Sequence, residues 1–189
     1  MKYADAERLL AKYVSGETLL RHSRAVAAVL ECWAKDAGED DPETWRCVGL
    51  LHDIDFERYP EQHCVKAKEL LEAEKAAFPG ISDGLIHAVQ SHGWNICCDI
   101  EPILLMEKVL YTVDELTGLV YACALMRPSK SVSDLEAKSV LKKFRTPAFA
   151  AGCSRSVIQA GCLMLGAELA DVVGRTIRAL RGEASLPDV

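Results

Sequence analysis

The chain lacks any stretch that would place it in or across a membrane. No uninterrupted apolar run among its 189 residues approaches the roughly 18 to 20 residues that span a bilayer. Residues 1–8 are charged and amphipathic, unlike the apolar core of a secretory signal peptide. We therefore expect no membrane contact and a cytoplasmic location.

Regular cysteine spacing is also missing. The chain has eight cysteines but no Cys-x-x-Cys motif, so neither a zinc ribbon nor a disulfide framework is expected. Most of the cysteines fall within apolar helical patterns, where a reduced thiol packs as a small hydrophobic group. The adjacent Cys97 and Cys98 are the one pair that the sequence marks as a candidate for oxidation.

An excess of positive charge is missing as well. The formal net charge is −6 and the isoelectric point is about 5.4. Such a balance argues against a surface built to coat nucleic acid. We expect no nucleic-acid partner.

Aromatic residues make up only 6% of the chain, and Ala, Leu, Glu and Lys dominate its composition. This composition favours helix, and apolar residues recur at helical spacing along the chain. The length suits one domain with a sizeable core. We predict an all-α helical bundle that forms a single domain over residues 1–182, followed by a disordered tail at 183–189.

Caps and breaks in the pattern predict where the helices begin and end. Asp41 and Ser82 are predicted N-caps, the segment Ser133–Glu136 has the form of a capping box, and Gly93 is a predicted C′ glycine. The predicted helices cover residues 3–14, 17–35, 42–53, 62–77, 83–92, 102–126, a segment from the capping box to about 143, 155–165 and 167–181.

Histidine and aspartate residues point to a metal site. All five histidines lie in the first half of the chain. His52 and Asp53 stand side by side after an apolar run, and Asp114 lies in an otherwise apolar helix, where a carboxylate is costly unless it is paired or metal-bound. Imidazoles and carboxylates together are the usual ligands of divalent first-row metals.

The order of these residues resembles the HD superfamily of metal-dependent phosphohydrolases. In that superfamily a His on one helix precedes an adjacent His-Asp pair at the end of another helix and an Asp on a later long helix. The resemblance extends over residues 17–165 and is strongest to small stand-alone bacterial and archaeal members. The segments that carry it are His22, Leu50–Glu57, Tyr59–His63, Ser91–Gly93, Lys108–Leu116, Arg127–Lys130 and Lys142–Phe144.

The resemblance implies an HD-type bundle that binds one or two divalent transition-metal ions, of Mn, Fe, Co, Ni or Zn. The ligands that it implies for a first ion are His22, His52, Asp53 and Asp114. Those for a second ion are Asp53, as a bridge, with His63 and His92. His87 lies five residues before His92 on the same predicted helix and is expected to face elsewhere.

Further residues are candidates for catalysis and substrate binding. Asp53, Asp55 and Glu57 are the catalytic candidates around a metal-activated water. Asp55 has two alternative roles, since it could orient a metal-bound group or act only as a turn residue. Arg127 and Lys130 are the substrate-binding candidates, although both could be solvated loop charges.

The function implied by the resemblance is hydrolysis of a nucleotide or another small phosphate ester, so the expected partner is a small phosphorylated molecule. Two alternatives stay open: a binding or regulatory HD module with a structural metal, and a di-iron HD-type oxygenase. The Gly-Tyr-Pro element of HD-type cyclic-di-GMP phosphodiesterases is missing, because Gly93-Trp94-Asn95 follows His92. The oligomeric state is left open.

Overall fold

The computed structural model describes residues 1–182, and within that range the chain forms nine α-helices and no β-strand. The all-α prediction is confirmed. The predicted tail at 183–189 lies outside the described residues. The helices are α1 Tyr3–Leu10, α2 Glu17–Ala37, α3 Pro42–Leu51, α4 Val65–Glu74, α5 Asp83–Ser91, α6 Leu105–Leu125, α7 Ala137–Phe144, α8 Arg155–Leu165 and α9 Leu169–Gly182, with a 3-10 turn at Pro60–Gln62.

The two longest helices, α2 and α6, form the centre of the bundle. Each has 21 residues; α2 packs against α3, α6 and α9, and α6 also packs against α5, α7 and α8. Val26 and Leu30 on α2 and Val113 and Leu116 on α6 are fully buried. Because α6 is apolar on most of its surface, neighbouring helices can enclose it on several sides.

Close packing of α3 on α2 depends on Gly49. A Cβ atom at Gly49 would lie 2.8 Å from the Cα atom of Ala27 and 3.0 Å from the carbonyl carbon of Val26. Only a glycine lets the two backbones come this near. Gly49 comes three residues before His52, so this contact brings the end of α3 against the helix that carries His22.

Three predicted helix starts are wrong. Helix α6 begins at Leu105 and not at 102, because Leu104 before it is extended. Helix α4 begins three residues later than predicted, because Pro60–Gln62 forms a 3-10 turn and Cys64 has a φ of +65°, which is outside the helical range. Helix α7 begins at Ala137, and Ser133 does not cap it. The Ser133 N–H instead donates to Oγ of Ser131, 3.2 Å away, within the preceding loop.

Two predicted caps are confirmed, and a third prediction is wrong. The Asp41 carboxylate accepts the N–H of Thr44 at 3.1 Å, and the Ser82 hydroxyl accepts the N–H of Leu85 at 3.1 Å. Gly93 follows α5 but does not have the positive φ of a C′ glycine. Its lack of a side chain serves a different contact, which involves two cysteines and is described below.

No single helix among residues 1–182 is both long and apolar enough to cross a membrane. Helices α8 and α9 satisfy that length and composition only as a pair, and they are bent by 100° at the break between them.

Candidate metal centre

The six predicted ligands come together at one cavity, from five segments of the bundle. The second turn of α2, the middle of α6, the residues after α3 and α5, and the turn before α4 all contribute. The cavity has a volume of about 310 Å³; five of the six residues line it, and the sixth, His52, is completely buried. The six are His22, His52, Asp53, His63, His92 and Asp114.

A first group of ligand atoms forms where α2, α3 and α6 meet. Nε2 of His22 lies 2.8 Å from Oδ1 of Asp114. Nε2 of His52 lies 3.3 Å from that same oxygen and 3.3 Å from Oδ2 of Asp53. Ligands bound about 2.0–2.2 Å from one ion are separated from each other by roughly 3–3.5 Å. The spacing of this group therefore suits a single divalent ion.

The environment of His52 tests whether a metal fits. Nδ1 of His52 lies 2.8 Å from the carbonyl oxygen of Gly49, so this nitrogen carries the proton and donates it. In the neutral ring Nε2 is then left with a free lone pair, and this atom is buried without a hydrogen-bond partner of good geometry. A buried polar atom without a partner is costly. The donor set of the first group therefore fits a metal ion.

A second group of ligand atoms lies on the other side of Asp53. Nε2 of His63 is 3.0 Å from Nε2 of His92 and 3.4 Å from Oδ1 of Asp53. Nε2 of His92 is 3.7 Å from that oxygen. Asp53 thus presents Oδ2 to the first group and Oδ1 to the second. This is the arrangement expected of a carboxylate that bridges two ions.

Asp55 holds His63 in place. Its side chain is completely buried, with Oδ1 accepting a hydrogen bond from Nδ1 of His63 at 2.8 Å and Oδ2 accepting the N–H of Ala67 at 2.8 Å. Of the roles considered for Asp55, its placement supports the one in which it orients an imidazole toward a metal.

The buried charges of the centre attract a cation. Burial opposes protonation of His52, but the charges of Asp53 and Asp114 outweigh it and raise the pKa of this imidazole well above 6.5. Burial would raise the pKa of both carboxyls, yet the neighbouring His52 holds each of them well below its usual value. Burial likewise opposes protonation of His63, and a hydrogen bond to Asp55 raises its pKa. Protons or metal ions can satisfy these carboxylates.

Comparison with protein families agrees with this geometry. A family model described as HD domain matches residues 19–116, which is more than half of the chain and includes all six ligand candidates. The chain belongs to the HD-domain family. No curated protein and no solved structure shows significant similarity to it.

Besides Asp55, which lies behind His63, three other catalytic or substrate-binding candidates do not line this cavity. The carboxylate of Glu57 accepts the backbone N–H groups of Ser15 and Gly16 at 3.0 and 2.8 Å, so it caps the start of α2. Arg127 pairs with Asp134 at 2.8 Å and lines a separate cavity. Lys130 is exposed in the same loop. Their placement gives no support to a catalytic or substrate-binding role.

His87 also faces away from the centre. Its Nδ1 lies 2.7 Å from Oε1 of Glu107, a buried carboxylate at the start of α6. The other oxygen of Glu107 accepts the backbone N–H groups of Ile103 and Leu104 at 2.7 and 2.9 Å. His87 therefore belongs to the contact that joins α5 to the first turn of α6.

Sequence reasoning missed Glu115. This residue follows Asp114 on α6 and lines the cavity, where Oε2 accepts the N–H of Ser154 at 2.9 Å and burial raises the pKa of the carboxyl. The argument that singled out Asp114, a carboxylate inside an apolar helix, applies equally to its neighbour. Phe56 was missed too; its ring packs edge-on to His63, with centroids 5.0 Å apart.

Proposed function

We propose that this HD-family chain is a metal-dependent phosphohydrolase that acts on a nucleotide or another small phosphate ester. The observation that carries the proposal is the position of Asp53, whose two carboxylate oxygens face separate groups of imidazoles on the wall of one open cavity. Mixed nitrogen and oxygen donors favour Mn, Fe, Co, Ni or Zn over Mg or Ca. When bound, such ions polarise a phosphoryl oxygen and lower the pKa of water.

The charge of the cavity supports strict metal dependence. Among the described residues that line it, none is Lys or Arg, whereas Asp53, Asp114 and Glu115 are acidic. These carboxylates would repel a phosphate group at short range. The ligand residues can receive a phosphate ester only when bound ions compensate this charge.

The size and lining of the cavity support a small substrate. About 310 Å³ is at the lower end of the roughly 300–1,000 Å³ found for small-molecule sites. Phe56 and Ile96 line the cavity and are 45% and 57% exposed. They offer an apolar surface for a nucleobase or a similar group.

Of the carboxyls that residues 1–182 place on the cavity wall, Asp53 and Asp114 belong to the ligand groups and Glu115 does not. We assign to it the proton that the leaving oxygen requires when the phosphate ester is cleaved. The N–H of Ser154 holds one of its oxygens, which fixes the direction of the side chain.

The test is phosphate release from a panel of nucleotides and small phosphate esters, with the protein stripped of metal and then supplied with Mn, Co, Ni, Zn or Mg in turn. We expect release with at least one transition metal and none with chelator. Asp53→Ala should abolish both metal binding and hydrolysis, whereas His87→Ala, outside the centre, should retain both.

Three results would contradict the proposal or the site that carries it. Metal binding without hydrolysis of any ester in the panel would favour a binding or regulatory module. An O₂-dependent reaction of the iron-loaded protein, without phosphate release, would favour the oxygenase. Full activity of Asp53→Ala would overturn the site assignment itself.

A further inference from the structure

Two cysteine thiols meet beside the second group of ligand atoms. Sγ of Cys64 and Sγ of Cys97 lie 3.3 Å apart. Cys64 directly follows His63, and its sulfur is 3.8 Å from Nε2 of His92. Cys97 belongs to the loop between α5 and α6 and lines the cavity. The two residues are 33 positions apart in the chain, so only the fold brings them together.

Local backbone structure directs both sulfurs to this point. Cys64 has φ +65° and ψ −40°, and the N–H of Val65 donates to the carbonyl of His63 at 2.8 Å. This is a classic γ-turn, which is rare for a residue with a side chain. Gly93 gives the sulfurs room, since a Cβ atom there would lie 2.5 Å from each of them.

The two thiols differ in access to solvent. Cys97 is exposed, whereas Cys64 is completely buried. Cys98, the neighbour that the sequence pairs with Cys97, also interacts with both thiols, but its own S–H donates to the carbonyl oxygen of Gln90 at 3.1 Å. An oxidant in the cavity therefore meets Cys97 first, and the sulfur of Cys64, 3.3 Å away, is in position to receive the second bond.

We propose that Cys64 and Cys97 form a reversible disulfide, which makes the wall of the metal centre an oxidative modification site. The oxidant is a peroxide. The Cys97 thiol gives up its proton and its sulfur attacks one peroxide oxygen; the O–O bond breaks, and the departing hydroxide takes up that proton and leaves as water, giving a sulfenic acid. The Cys64 thiol then attacks that sulfur and hydroxide leaves with the thiol proton as water. Two thiols lose two electrons, the peroxide gains them, and a dithiol reductant reverses the change.

Closing the bond would disturb the second group of ligands. The sulfurs must approach from 3.3 Å to about 2.05 Å, and Cys64 is bonded directly to His63. Cys64 is also close enough to His63 and His92 for the three to hold one metal, and a disulfide removes its thiolate from that set. We expect oxidation to release the second ion. This consequence rests on the proposed metal centre; the disulfide does not.

In the test, the 189-residue chain is treated with one equivalent of hydrogen peroxide, the remaining thiols are alkylated, and the products are mapped after trypsin digestion. We expect free thiols to fall from eight to six and the tryptic peptides 59–66 and 76–108 to become linked until a dithiol is added. Cys64→Ser and Cys97→Ser should abolish the link. Cys98→Ser and Cys32→Ser, as matched controls, should retain it.

The variants separate the competing outcomes. A link that survives Cys97→Ser but is lost in Cys98→Ser would overturn the assignment, as would oxidation of Cys97 to a sulfinic acid with Cys64 still free. Because Cys97 is exposed, its variant keeps the test decisive even if Cys64→Ser does not fold. Metal content before and after oxidation tests the coupling separately, and the mapping result does not depend on any hydrolase assay.

Discussion

Nε2 of His63 and Nε2 of His92 face each other at 3.0 Å. Both rings have their other nitrogen engaged, since Nδ1 of His63 bonds the carboxylate of Asp55 and Nδ1 of His92 bonds the carbonyl of Val89. If each Nδ1 is the donor, two lone pairs point at one another. Such a contact is unfavourable unless a proton or a metal ion lies between the nitrogens.

Metal binding should therefore weaken as pH falls. The pKa values of His52 and His63 are both raised above 6.5, so each imidazole keeps its proton to a higher pH than a free histidine, and a metal must displace that proton. As the pH is lowered, we expect the metal affinity to start falling while the pH is still above 6.5. The fall should be about tenfold per pH unit for each displaced proton. Calorimetric titration with Mn at several pH values, in buffers of different ionisation enthalpy, measures affinity and proton release. A pH-independent affinity would contradict this prediction.

Removing the imidazole of His63 should empty only one of the two proposed metal positions. His63 lies 3.4 Å from Oδ1 of Asp53 but is absent from the group formed by His22, His52 and Asp114. His63→Ala is expected to lower the metal content from two ions to one, measured by elemental analysis after dialysis. His87→Ala should keep both ions. An unchanged content in His63→Ala would refute the two-ion interpretation.

Asp55→Asn tests the support behind His63. The carboxylate now accepts two N–H donors, from His63 and Ala67, and an amide has only one oxygen with which to do so. Loss of such an orienting partner commonly weakens metal binding by about 10- to 100-fold. We expect this weaker binding only for the ion held by His63 and His92, as measured by competition titrations with a chromogenic chelator. Equal weakening at both positions would show general disruption instead.

The sequence was sufficient to identify the ligand candidates but not the residues around them. His22, His52-Asp53 and Asp114 could be selected because their order along the chain is that of the family and each lies in a helical pattern. Glu57 and Arg127 could not be placed, because the direction of a loop depends on what it packs against. The Glu57 carboxylate accepts the otherwise unpaired N–H groups at the start of α2. The local sequence does not reveal this contact.

The same limit explains the missed cavity residues. Consecutive residues on a helix point about 100° apart, so choosing Asp114 appeared to exclude Glu115. Glu115 reaches the cavity because Ser154, at the start of α8, receives its carboxylate. The contact between Cys64 and Cys97 was equally hidden, since it requires an unusual turn at one residue and a glycine at position 93.

Glu115→Gln should separate catalysis from metal binding. The amide oxygen can still accept the N–H of Ser154, but the side chain can no longer exchange a proton. Loss of a general acid typically lowers turnover by about 10²- to 10⁴-fold. We expect that loss in kcat for an ester with a poor leaving group, a smaller loss for an activated aryl phosphate, and unchanged metal content. Equal losses for both esters would contradict proton donation by Glu115.

Gly49→Ala should lower both the stability of the protein and its affinity for metal. The added methyl group would lie 2.8 Å from Ala27 Cα, a backbone atom that cannot move without shifting α2. Overpacking of this kind costs about 1–3 kcal/mol of stability, and the displaced α3 should also weaken metal binding at His52. Gly174→Ala is the matched control, because nothing lies within 4 Å of its added Cβ and alanine favours helix by about 0.5–1 kcal/mol. Urea unfolding of the metal-free proteins measures the change in stability of each variant, and a metal titration measures the change in affinity. Equal stability of the two variants would show that the contact between α2 and α3 is not as close as described.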